Sequence, residues 1–114
     1  MPEINQDKLQ AFIGKMLGDL GAAFSVPTAQ IGIRLGLYDA LQKHGPLNSA
    51  ELAERTGGLS ERNVREWALA QAANGYIGYD ATTQRFDISP EQAMVFVIKD
   101  SPVYLAGAFE IAGA

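Results

Sequence analysis

The sequence predicts a mainly α-helical domain of the winged helix-turn-helix type, with a small β-hairpin wing and extra N- and C-terminal helices. Three observations predict it. Apolar residues recur at three- and four-residue steps through the first part of the chain. Two short helices in the middle are bracketed by capping residues and glycines. The pattern then switches to period two on either side of a polar turn. Helix, turn, helix, hairpin is the winged form of the motif. The 114 residues suffice for one domain, divided into a helical arm (5–44), a helix-turn-helix (48–75), a wing (76–89) and closing helices (90–114).

The first helix is marked by Leu9, Phe12, Ile13, Met16, Leu17, Leu20, Ala23 and Phe24 at helical spacing, with Asn5 or Asp7 able to cap it. Gly14, Gly18 and Gly21 lie inside it, each costing roughly 1 kcal/mol against alanine, which points to a second backbone packed close by. Pro27 is read as the break before a second helix over 28–44, whose apolar face carries Ile33, Leu37, Ala40 and Leu41, widened by Ile31, Leu35 and Tyr38. Lys43-His44-Gly45-Pro46 is its stop. Asn48 and Glu51 form a capping box for a helix over 49–56 that Gly57-Gly58 ends. Ser60 caps the next helix, to about 74, with Leu59 stapled against Val64 and Asn74-Gly75 closing it.

Residues 76–79 and 85–88 are the hairpin strands, around the turn 80–84. Ser89-Pro90-Glu91-Gln92 then starts another helix, and Ser101-Pro102 a last one, still apolar where the sequence stops; such an end looks truncated.

Apolar residues make up 47% of the chain and charged residues 19%, which favours a packed globular protein over a disordered one. With 9 Lys+Arg against 13 Asp+Glu the net charge is -4, so phosphate backbones are disfavoured partners. From residue 51 to 88 four arginines face six acids, and a DNA reader needs a basic footprint there. Without cysteine there is no disulfide, thiol nucleophile or thiolate-based zinc site. The N-terminus lacks the pattern of a secretion signal and no run spans a bilayer, so a cytoplasmic protein without membrane association is expected.

The run 46–57 resembles the turn-helix entry of many small-molecule methyltransferases, and 59–67 with 71–76 and Tyr79-Asp80 is more specific. Together with 33–41 and Asp100-Ser101-Pro102 it is similar to bacterial class I SAM-dependent methyltransferases that carry an N-terminal winged-helix domain. The resemblance covers nearly the whole chain but only the front third of such an enzyme. It implies a non-catalytic domain that mediates homodimerisation and roofs the substrate pocket, with SAM and a small-molecule substrate bound by a C-terminal catalytic domain absent from this sequence. The strand, glycine-rich turn and acidic residue of a SAM site are not found here, so no cofactor is expected on this chain.

No residue is expected to be catalytic or to bind a metal. His44 fits a helix C-terminal dipole partner, Glu51, Glu54, Glu61 and Glu66 fit caps or a solvated face, and Trp67 fits the core. Phe12, Met16, Leu20 and Phe24 exceed the needs of a small helical core; patterning alone leaves open whether they fold back on the chain's own core or meet a second subunit, and the resemblance implies that they are the dimer interface. The resemblance implies that the last helix approaches the substrate cavity, and its aromatics Tyr104 and Phe109, suited to flat organic ligands, are the expected substrate-lid residues. The alternative is a stand-alone winged-helix transcriptional regulator or interaction module, which charge disfavours where it requires DNA.

Overall fold

Short-range capping chemistry sets most of the helix ends in this chain. The computed structural model describes residues 2–108. Helix α1 (Gln6–Arg34) starts where the Asn5 side chain accepts from Lys8 N–H. Helix α2 (Leu37–His44) follows after Gly36, whose φ of 72° lies in the left-handed region that glycine enters without strain. Helices α3 (Ser49–Arg55) and α4 (Glu61–Ala73) form the helix-turn-helix, capped by Asn48 in a reciprocal box with Glu51 and by Ser60. Helix α4 ends in a Schellman motif: Gly75 N–H bonds to Ala72 O, and Tyr76 N–H to Gln71 O. Helix α5 (Pro90–Phe96) begins with the Ser89–Gln92 capping box and Pro90 in its first turn.

The wing is the antiparallel pair β1 (Gly78–Asp80) and β2 (Arg85–Asp87), with Tyr79 opposite Phe86. A further bridge joins Leu47 to Phe86 by two backbone hydrogen bonds of 2.9 and 2.7 Å. This ties the loop before α3 to the wing, a pairing the sequence does not announce because a single residue carries it. The core lies between α2, α3, α4 and the wing, around Tyr38, Leu41, Leu52, Trp67, Ala68 and Phe86. Leu59 packs against the same cluster, as a staple should.

Two expectations are corrected. Pro27 does not separate two helices: α1 runs through it and breaks only at Leu35–Gly36. Proline removes one helical donor, to the carbonyl of Ala23, but Ala23 is exposed and water can take its place. Beyond it, Ala29, Gln30 and Gly32 are buried, so packing holds the turns that proline weakens. Ser101-Pro102 does not start a helix either. Ser101 makes a turn, its Oγ accepting from Val103 N–H and its carbonyl from Tyr104 N–H, and helical backbone begins only at 106. Leu105 N–H bonds to Val95 O in the last turn of α5, satisfying a carbonyl the helix cannot.

Candidate functional site

Helix α1 changes character along its length. From its start to Phe24 every residue is exposed, while Ser25, Ala29, Gln30 and Gly32 are buried against the body. At about 100° per residue, Leu9, Phe12, Ile13, Met16, Leu17, Leu20 and Phe24 share one broad face of the free part. Phe12 is 61% and Phe24 72% exposed. The expected interface residues Phe12, Met16, Leu20 and Phe24 are therefore brought together on one uncovered surface. Ile31 and Leu35, expected to widen the inward stripe of the second helix, are instead exposed and prolong this face. Gly14, Gly18 and Gly21 lie on an adjoining face, where a Cβ would meet nothing within 4 Å beyond its chain neighbours and the helix's own backbone. The Lys15–Asp19 ion pair, at 2.7 Å, occupies another side.

The anchored part of α1 shows what close approach requires. A Cβ on Gly32 would collide with the rings of Trp67 and Tyr38. Trp67 is buried as expected, and its Nε1–H also donates to Thr28 O at 2.7 Å. Tyr38 stacks on Phe96 at 4.3 Å and meets Trp67 edge-on at 5.2 Å. Its hydroxyl donates to Gln71 Oε1, and burial, with Tyr76 nearby, pushes the phenol well above its usual range.

On the helix-turn-helix and wing, two arginines are paired with carboxylates. Glu61 accepts from Ser49 Oγ at 2.5 Å and lies 3.7 Å from Arg65, while Arg85 bonds to Glu51 at 2.6 Å. The Asn48 backbone N–H and, secondarily, Arg85 hold the Glu51 carboxyl below its ordinary range. A cavity of about 320 Å³ lies here, between Ser49, Glu61, Arg65, Leu69, Tyr79 and Phe86.

Tyr104 lines a separate cavity of about 160 Å³ with Gly32, Tyr38, Asp39, Phe96 and Lys99. The structure thus places one expected lid residue at the end of α5 beside α2, far in sequence from the arm; Phe109 lies outside the described residues. His44 sits in the last turn of α2. Among the described residues no group of three or more His, Asp or Glu side chains could share a metal. Gly57 and Gly75 have φ of 95° and 78° at helix ends, and a Cβ on Gly78 would strike the Asp87 carboxylate. No described helix is long and apolar enough to cross a membrane.

Comparisons with known proteins agree with this architecture. Among solved structures, one described as PigF with SAH matches with a TM-score of 0.66 at 18% sequence identity. The match covers 99% of this chain and 33% of that one, so the chain spans about a third of that protein's length. The likeness is one of fold. Among curated proteins none matches. The model of the Rv2258c-like winged HTH domain family matches residues 22–97, which takes in the anchored part of α1, the helix-turn-helix, the wing and α5, and the chain belongs to that family.

Proposed function

We propose that this domain is the non-catalytic dimerisation and substrate-lid part of a SAM-dependent methyltransferase acting on a small organic molecule, with methyl transfer carried out by a separate catalytic domain. One observation carries the reading: the long apolar face of α1 is uncovered. Nine large apolar side chains from Leu9 to Leu35, exposed to between 39% and 72%, leave on the order of 900 Å² per chain, against about 800 Å² per partner in a standard stable interface. A symmetric pair of chains sharing this face would remove it from water. Support for the methyltransferase context comes from the sequence resemblance and from the fold shared with a structure that holds SAH, the form SAM takes after giving up its methyl group. Support for the lid role is the position of Tyr104 on a cavity wall between α2 and α5.

Sedimentation equilibrium of this chain tests the reading. A dimer that dissociates when Phe12 and Leu20 are replaced by aspartate is the expected result; a monomer at several hundred micromolar would overturn it. Calorimetry with SAM on the same chain should show no heat of binding.

A further inference from the structure

We propose that Asn74 and Ser25 form a latch that sets the direction in which the arm leaves the body, across the weakest turn of α1. The inference goes beyond the dimer reading and does not require it.

The free and anchored parts of α1 meet between Gly21 and Thr28. Four features weaken the helix there. Pro27 supplies no N–H to Ala23 O. Gly21 has low helix propensity, with Gly18 one turn before it. Ser25 Oγ donates to Gly21 O at 3.0 Å, and Thr28 Oγ1 reaches Phe24 O and Ser25 O, both at 3.0 Å. Hydroxyls that bond back to helical carbonyls in this way bend helices. A segment so built, with a solvent-exposed helix on one side and a partly buried one on the other, is where the arm would pivot.

Two side chains of α4 and its cap reach this segment, Trp67 at its far end and Asn74 at the turn nearer the arm. Asn74 Nδ2–H donates to Ser25 Oγ at 2.9 Å, and the same hydroxyl donates onward to Gly21 O. The body is thereby linked through one hydroxyl to a carbonyl at the base of the arm. Asn74 is itself well placed to hold a direction. It is the C-cap of α4, followed by left-handed Gly75, and Gln92 Nε2–H bonds to Gly75 O at 2.9 Å. The Trp67–Thr28 bond one turn further on anchors the part of α1 that stays with the body. With the latch closed, the apolar face of the arm is presented to any partner at one angle to the winged helix. With it open, the arm samples many angles and a partner must order it first.

The chain has no cysteine, so nitroxide labels can be placed at Gln10→Cys on the arm and Arg62→Cys on α4, both exposed. Inter-label distances are measured by pulsed electron resonance on labelled chain diluted with unlabelled chain, while sedimentation reports association separately. The parent should give one narrow distance. Asn74→Ala and Ser25→Ala should each broaden it about twofold or more, and the double variant should do no more than either, as a shared contact requires. A broad parent distribution, or a narrow one unchanged in both single variants, would overturn the latch. Because Asn74 is exposed, Asn74→Ala should still fold, and its melting curve checks that broadening is not global unfolding.

Discussion

At the scale of single residues, glycine at four positions of one helix has two different consequences. Gly32 is needed because the rings of Trp67 and Tyr38 occupy the space of a Cβ. Gly32→Ala should therefore destabilise the fold by roughly 1–3 kcal/mol, the usual range for overpacking. Gly14 and Gly18 face open space. In urea titration of the dissociated chain, Gly14→Ala should stabilise by up to about 1 kcal/mol through helix propensity. If a partner backbone approaches these glycines, the same substitution weakens association, so opposite signs in the two measurements would locate the contact. Trp67→Phe keeps the ring against Tyr38 but loses the bond to Thr28 O. It should cost about 1 kcal/mol or somewhat more, because the carbonyl loses its side-chain donor.

At the scale of elements, α3 depends on a carboxylate. Glu51 accepts the Asn48 backbone N–H in the capping box and pairs with Arg85 of β2, joining the helix-turn-helix to the wing. Both partners favour the ionised form, and the carboxyl sits below its ordinary 4.5. For a depressed carboxyl the stabilising contribution is complete above the unfolded value and is lost as pH falls through the folded one. Thermal melts of the native chain and Glu51→Gln should therefore differ most near neutrality and converge below about pH 4.5. A difference that persists unchanged into acid would show that charge at this position contributes nothing. Local caps made most of this level readable: Asn48 with Glu51, Ser60, and Ser89 with Gln92 each act over three residues. The effect of Pro27 depends on packing one turn away, which the local pattern does not carry, and the break at Gly36 lies inside an otherwise helical pattern.

At the scale of the molecule, the question is what covers the arm. The longest axis is 59 Å against 34 and 24 Å, and the uncovered face lies on the helix that is 29 residues long. Should the dimer form as proposed, Phe24→Ala, which truncates the most exposed of these side chains, should weaken it by about 2 kcal/mol, roughly 30-fold in dissociation constant, if it is an anchor of the interface. Sedimentation at several concentrations reads this directly, and an unchanged constant would move the contact elsewhere on the stripe. Arg65 and Arg85 already face Glu61 and Glu51 across the surface that a DNA-binding winged helix would present. A labelled duplex should accordingly show no retardation even at low salt, where phosphate contacts are strongest.

The helix-turn-helix and hairpin, the caps of α3, α4 and α5, and the surplus of apolar residues on the first helix were legible in the chain, because caps, turn residues and side-chain periodicity act over three or four positions. The tertiary structure decided what those signals leave open. It carried α1 through Pro27, joined Leu47 to Phe86, and set Trp67 on Thr28 and Tyr38 on Gln71, partners 39 and 33 residues apart. It also distributed the apolar surface, turning Ile33 toward the core while leaving Phe12 and Phe24 in solvent. Periodicity shows that a helix has an apolar face, whereas what that face meets depends on contacts between distant segments, and those exist only once the chain is folded.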